Sequence, residues 1–497
     1  MSALPLFKGE TFAPRLLRMH QKRALVMLRE SLLAGNRRVV CALPTGSGKT
    51  RLAAEIVSGA LTKGNTVAFT VPALSLIDQT IESFAMEGID SVGVMQGNHE
   101  LTDMTQPVQV CSLQTLAQRG CPDTDVVIVD ECHLRFKVLG EWMRKRPNTT
   151  FIGLSATPWA RGMGEDWQDL VCPVRMQELI DAKFLSPFRV YAPSHPDLSG
   201  VRTQAGDYHE GDLADVMSEN RLVADIVETW LKLAEWQPTL VFAVDRKHAR
   251  KLQKEFEACG VPMGYCDAYV DRIERKALFD KMARRELAGI VNVGTLTTGV
   301  DADVRCIVLA RPTKSEILHV QIVGRALRTA PGKVDALILD HADNHSRLGF
   351  VTDIHHPTLL KGKDKNKTRK EQGEPLPKEC TSCGAMKAPK VRECLHCGFI
   401  PEPKSEIETE DGELVELTRK QAKKTYTVAQ KQQFYSELLG LAAQRGRKSG
   451  WAYHAYIDKF GVGPANSMHK VPATPSLETI AWAKAKDIRF AKGRAKA

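Results

Sequence analysis

Leu43-Pro44-Thr45-Gly46-Ser47-Gly48-Lys49-Thr50 follows directly on the β-branched run Arg38-Val39-Val40-Cys41-Ala42 and leads into an amphipathic stretch over residues 51–60. Strand, glycine-rich turn and helix in that order form the setting in which backbone N–H groups close around phosphate oxygens. Gly46 and Gly48 give the turn its tightness, and the helix start adds its dipole. Thr45 and Ser47 complete the cradle, Lys49 is spaced to reach β- and γ-phosphates, and the Thr50 hydroxyl to bind Mg²⁺. Leu43 stands where the general pattern has its first glycine.

About eighty residues on, the apolar run Val126-Val127-Ile128-Val129 ends in Asp130-Glu131-Cys132-His133. A carboxylate at a strand end beside a phosphate loop is placed to hold Mg²⁺ through water, and its neighbour to deprotonate an attacking water. Asp130 and Glu131 are therefore the expected magnesium and base residues. An acidic pair alone is more often a solvated loop; the phosphate loop upstream gives it meaning.

Working outward, residues 36–350 alternate short apolar runs with longer amphipathic stretches. Further strand-like runs are Val67-Ala68-Phe69-Thr70-Val71, Phe151-Ile152-Gly153-Leu154, Leu240-Val241-Phe242-Ala243-Val244, Gly289-Ile290-Val291-Asn292-Val293, Cys306-Ile307-Val308-Leu309-Ala310 and Ala336-Leu337-Ile338-Leu339. Continuously apolar strands spaced by helices predict parallel sheets covered on both faces. Two such series, separated by an irregular Pro-, Gly-, Asp- and Ser-rich stretch near 186–212, predict two α/β domains, 1–185 and 186–360. Residues 361–400 read as a charged linker (Lys361-Gly362-Lys363-Asp364-Lys365) and a cysteine module. Residues 401–497 read as an acidic stretch at 406–416 and a basic helical region.

The chain of 497 residues is too long for a single core. No apolar run approaches the roughly 20 residues of a membrane helix, and the N-terminus lacks a signal-type apolar stretch. Reduced thiols with one metal site fit a cytoplasmic protein better than a disulfide scaffold. The net charge of +10 is uneven: residues 419–497 carry sixteen Lys/Arg against four Asp/Glu, leaving the remainder near neutral. Such asymmetry fits a module with extra phosphate contacts, or a solvated lysine-rich helix.

Pro44 to Thr50, Asp130 to His133 and Ser155-Ala156-Thr157-Pro158 resemble motifs I, II and III of superfamily 2 helicases. Leu240 to Asp245 resembles motif IV, Asn292 to Asp301 motif V, and Gln321-Ile322-Val323-Gly324-Arg325-Ala326-Leu327-Arg328 motif VI. The similarity runs over residues 15–345. The stretch from Thr297 to Asp340 is most similar to bacterial RadD-type DNA-repair helicases and phage-encoded relatives, and type III restriction motor subunits share the core. This resemblance implies two tandem RecA-like domains, ATP and Mg²⁺ as ligands, and arginine fingers at Arg325 and Arg328. It also implies Asp301 at the ribose or closed interface, Ser155 and Thr157 as couplers, and Thr70, Gln79, Ser112 and Thr298 on nucleic acid. Arg18 and Gln21, in Leu17-Arg18-Met19-His20-Gln21, stand where adenine is read, with His20 in place of a common tyrosine; the alternative is an ordinary helix start.

Cys380-Thr381-Ser382-Cys383-Gly384 and Cys394-Leu395-His396-Cys397-Gly398 are two CxxC knuckles ten residues apart. Four thiolates on two tight turns predict a closed structural Zn²⁺ site; a redox dithiol is the other reading. In the tail, Trp451, Tyr453 and Tyr456 lie among Arg445, Arg447, Lys448 and Lys459. They stack on bases or form the core of a small helical module. Function then reads as an ATP-driven translocase or helicase in a bacterial or phage-infected cytoplasm, on single-stranded, forked or branched DNA or on RNA. The alternatives are a restriction-type motor, which needs a protein partner, and an ATP-gated clamp that separates no strands.

Overall fold

A strand that is apolar on both faces must be covered on both, so helices have to fall on either side of each sheet. The computed structural model describes residues 16–96, 99–192, 194–296, 302–362, 373–401, 427–465, 468–476, 479–480, 482–483 and 486. It divides into two units, Met1–Pro403 and Lys404–Ala497.

The first unit contains two parallel sheets. One is built from β1 (Arg38–Ala42), β2 (Val67–Val71), β3 (Val92–Met95), β4 (Val108–Ser112), β5 (Val126–Asp130), β6 (Thr150–Ser155) and β7 (Asp169–Val171), in the order β3-β4-β2-β5-β6-β1-β7. The other begins with β8 (Phe188–Tyr191). After a small hairpin, β9 (Thr203–Gln204) with β10 (Asp207–Tyr208), it takes β11 (Thr239–Phe242), β12 (Met263–Cys266), β13 (Gly289–Asn292), β14 (Cys306–Leu309) and β15 (Ala336–Asp340), in the order β12-β13-β11-β14-β15-β8. These are the two RecA-like domains.

Register brings the chemistry together. Ala42 at the end of β1 pairs with Ser155 at the end of β6, and Asp130 at the end of β5 pairs with Leu154. The phosphate loop and the Asp130-Glu131 pair therefore leave the same sheet end two strands apart, roughly 10 Å, with Ser155 between them.

The stretch 186–212, expected to be irregular, contains β8, which closes one edge of the second sheet by pairing with β15. Strands β3 and β12 each carry a glycine, and β7 has only three residues. In β4 the side chain of Gln109 is buried because its amide donates to the carbonyls of Asp103 and Gln106, at 2.8 and 2.9 Å.

The cysteine module packs on the second domain. Its hairpin, β16 (Lys378–Glu379) with β17 (Met386–Lys387), continues past the edge of β8 through a bridge between Tyr191 and Ala385. Cys380 and Cys394 join Tyr191 in that domain's core, and the Tyr191 hydroxyl meets His396. Residues 363–372 of the expected linker and the acidic stretch 406–416 lie outside the described residues. Among the described residues no helix is long and apolar enough to cross a membrane.

In the second unit, helices Val428–Gln444 and Ser449–Phe460 pack around Tyr435, Leu438, Leu439, Ala442, Ala452, Ala455 and Tyr456. Of the two readings of the tail aromatics, the core holds for Tyr456 and for Trp451, which packs against that cluster. Tyr453 is 44% exposed. Lys459 and Lys431 lie over aromatic rings of the same module, and Arg447 lies 4.8 Å over Trp451.

Candidate nucleotide cleft and cysteine cluster

Beyond β1 the backbone turns through two left-handed residues, Gly46 (φ 81°) and Gly48 (φ 84°), before helix Lys49–Leu61 begins. Only glycine takes these angles cheaply, and both sites are also closed sterically. A Cβ on Gly46 would lie 2.8 Å from Leu185 Cδ2, and one on Gly48 2.6 Å from Gln21 Nε2. The loop is thus braced from behind. Ser47 Oγ is buried without a protein partner, and a buried hydroxyl left unpaired is costly unless a ligand or water meets it.

Gln21 supplies much of the brace. Its amide donates to the carbonyls of Ser47 (3.3 Å) and Gly48 (3.0 Å), and its oxygen accepts the N–H of Arg18 (2.9 Å). At 2% exposure it presents no edge to a base. In this structure the Gln21 side chain is engaged by the loop and by the helix start. His20 is also turned inward, 2.9 Å from the Ser47 carbonyl, and burial lowers its pKa. Arg18 lies 4.6 Å over the ring of Phe184, and these two line the cleft. Nothing in the local sequence distinguishes Phe184 from a core phenylalanine.

At the end of β5, Glu131 holds φ at 48°, unusual for a residue with a side chain and a feature that clusters at functional sites. Its carboxylate lies 4.0 Å from Lys49 Nζ and 3.3 Å from His133 Nδ1. Burial pushes the Glu131 carboxyl up, but Lys49, His133 and Arg325 outweigh that and hold it low. Burial, then the adjacent Glu131, push Asp130 up to about 6.

The opposite wall comes from the second domain. Helix Glu316–Ala326 is buried almost throughout and carries Gln321 and Arg325. Gln321 Nε2 lies 3.1 Å from His133 Nε2; His133 Nδ1 lies 2.9 Å from Ser155 Oγ, which accepts the Thr157 N–H at 3.0 Å. Motifs VI, II and III are joined by one buried polar chain. Gly324 sits against the phosphate loop so closely that a Cβ there would lie 3.0 Å from Thr45 Cβ. Arg328 is held beside Gly46 by the bridge to Leu185, and Ser186 donates its N–H to the Leu327 carbonyl at 2.7 Å. The cleft has a volume of about 670 Å³, and its lining includes Lys49, Thr50, Asp130, Glu131, Arg325 and Arg328.

The expected strand-contacting residues divide. Gln79 opens onto this cleft. Thr70 and Ser112 are fully buried, and Ser112 caps helix Leu113–Arg119 by accepting the Thr115 N–H at 3.0 Å. Both side chains face the interior of the first domain in this structure. Thr298 and Asp301 lie outside the described residues.

In the cysteine module the four sulfurs of Cys380, Cys383, Cys394 and Cys397 all lie within 4.8 Å of one another, with pairs at 3.8 and 3.7 Å. Each knuckle closes with a glycine N–H donating to the carbonyl of its first cysteine, Gly384 to Cys380 and Gly398 to Cys394. Sulfurs about 2.3 Å from a tetrahedral ion stand about 3.8 Å apart, so the donor set fits one.

Two family models match the chain, Type III restriction enzyme, res subunit, over residues 15–160, and Helicase conserved C-terminal domain, over residues 221–330. A 51.5 kDa protein of a Lactococcus phage is 28% identical over 69% of this chain and 74% of its own length. The putative ATP-dependent helicase IRC3 of Saccharomyces cerevisiae is 27% identical over 70% of this chain; the match spans about half, 54%, of the yeast protein. Among solved structures, a fragment of a putative HsdR subunit of a type I restriction enzyme from Vibrio vulnificus superposes with a TM-score of 0.54 at 20% identity. It covers 70% of this chain and 69% of that one, a likeness of fold.

Proposed function

Belonging to the superfamily 2 helicases, an ATP-hydrolysing family, this chain works, we propose, as a DNA translocase or helicase in a bacterial or phage-infected cytoplasm. One observation carries the reading: side chains from both domains meet around one cleft in front of a braced phosphate loop. Lys49 would neutralise the β- and γ-phosphates. Thr50 and Asp130 would hold Mg²⁺, whose bound charge offsets that building on the phosphate oxygens. Glu131 would take the proton of the attacking water as the bond from the γ-phosphorus to the β–γ bridging oxygen breaks, leaving ADP and phosphate. Arg325 and Arg328 would stabilise the transferred group only while the second domain is closed, which ties chemistry to domain motion. The chain from Gln321 through His133 to Ser155 is the route by which nucleotide state would reach motif III.

Strand contacts would go mainly to phosphates, giving grip without sequence readout. The cysteine module would hold one Zn²⁺ as a structural brace on the edge of the second sheet. The tail's Lys/Arg excess would add phosphate contacts in the same service. ATPase rates with a panel of single-stranded, forked and duplex DNA and matching RNA test this reading, beside a strand-displacement assay. Stimulation by RNA alone, or by nothing, would overturn the DNA assignment; hydrolysis with no displacement or translocation on any substrate would leave an ATP-gated clamp. The match to the restriction-subunit model favours one second reading, a restriction-type motor, which DNA stimulation only in the presence of a partner subunit would support.

A further inference from the structure

Past its second sheet the chain crosses the molecule before it reaches the cysteine module. Phe350 still belongs to the second domain, its ring edge-on to Phe188 at 6.0 Å. His356, almost fully buried, places Nε2 2.6 Å from Glu316 Oε2, in the first turn of the motif VI helix. The same imidazole stands edge-on to Trp159, two residues after Thr157 of motif III, at 5.1 Å. Leu359 then packs against the first domain's cluster around Met163 and Trp167, and the Leu360 carbonyl accepts the Gly164 N–H at 2.9 Å. By Lys378 the chain is back on the second domain, in β16.

We propose that residues 351–361 form a strap holding the two helicase domains together across the cleft, with His356 as a positioning residue that joins motif III to the motif VI helix. The functional half of this rests on the ATPase reading above. Two features argue that the crossing is built. Gly164 can have no side chain without displacing the strap: a Cβ there would lie 3.0 Å from both the Leu359 and Leu360 carbonyl oxygens. Glu316 is partly buried and its Oε1 is already enclosed without a partner, so loss of His356 would strip the other oxygen of its bond and leave the carboxylate's desolvation less compensated. A strap of this kind acts as a second tether beside the interdomain linker. It raises the effective concentration of one domain at the other and so the population of the closed, hydrolysis-competent form when no strand is bound.

The test uses the full chain and two variants that act from opposite sides, Leu359→Asp in the strap and Gly164→Ala in the first domain. Steady-state ATPase is measured without DNA and with saturating single-stranded DNA, together with amide hydrogen exchange. Release of the strap should lower DNA-free turnover about tenfold, while saturating DNA, gripping both domains, restores kcat to within about twofold. Exchange should quicken at 159–166 and 354–361 and stay unchanged in the core strand β5. His356→Ala should share the kinetic split, and His356→Gln, which keeps a donor, should recover part of it. Equal fractional losses with and without DNA would reduce the segment to a structural role and overturn the proposal. So would unchanged or raised DNA-free turnover, or full protection of 354–361 in Leu359→Asp. If the wild-type chain hydrolysed no ATP, the functional reading would fall, and exchange alone would decide whether the strap exists.

Discussion

Gly324→Ala adds one methyl group where the motif VI helix rests on the phosphate loop. The new Cβ would lie 3.0 Å from Thr45 Cβ, 3.2 Å from Oγ1 and 3.5 Å from Cγ2, inside the roughly 3.5–4.0 Å at which carbon atoms rest. The loop is pinned by Gln21 and Leu185, so the helix has to retreat by about half an ångström. Overpacking of this size costs about 1–3 kcal/mol, and the cost falls only on the closed form, because an open cleft has no such contact. The closed population should drop about 5- to 150-fold. Arg325 is the next residue and Arg328 lies about one turn on, so both move with the helix. Single-turnover hydrolysis should therefore slow on the order of 10- to 100-fold, while binding of a fluorescent ATP analogue changes by less than about threefold. Stability should move the other way, since alanine replaces glycine in a helix interior at a gain of up to about 1 kcal/mol; calorimetry should show an unchanged or slightly raised Tm. Turnover within twofold of wild type in a folded variant would mean that this helix does not seat on Thr45 in the reactive state. A fall in both Tm and turnover would point to misfolding and equally sink the argument.

The other expectations can be checked with the same protein. Glu131→Gln should keep ATP binding and lose hydrolysis by about 10²-fold or more, and Lys49→Ala should impair both; near-normal turnover in Glu131→Gln would remove it as the base. Arg328→Ala should lose turnover with little loss of nucleotide affinity, because finger contacts strengthen in the transition state, and equal losses in binding and rate would contradict that. Freshly purified protein should carry about one zinc per chain and Cys394→Ser should lose it, with a lower Tm for the second domain; metal analysis finding none would refute the site. Truncation after Leu417 should flatten the slope of log affinity against log salt by about 3, assuming four or five lost phosphate contacts at about 0.7 each, with basal hydrolysis unchanged. Parallel slopes would make the tail's charges solvent-facing or partner-facing.

The phosphate loop was legible because its chemistry is local: Gly46, Gly48, Lys49 and Thr50 lie within five residues, between a recognisable strand and helix. The strand-end carboxylates were legible because the phosphate loop upstream gives two acids after Val126 to Val129 a meaning that such a pair lacks alone. What the sequence hid depends on contacts between distant residues. Gln21 reads identically whether its amide faces a base or the carbonyls of Ser47 and Gly48, 26 and 27 residues away. Thr70 and Ser112 fill the right positions of their motifs, yet each sits at a strand end whose side chain turns into the core. β3 and β12 are four residues each, too short for an apolar run to stand out from its surroundings. Phe184 acquires its role only through Arg18, far back in the chain, and His356 only where the two domains meet; neither stands in a motif.

The crossing of residues 351–361 also has a consequence during synthesis. The apolar cluster of Met163 and Trp167 is made by about residue 170, but one of the side chains that pack against it, Leu359, is about 190 residues further along. At translation rates of about 5–20 residues per second, the nascent first domain waits roughly 10–40 s with that surface uncovered. On the ribosome-bound chain the patch under Leu359 is therefore the last part of the first domain's surface to be covered.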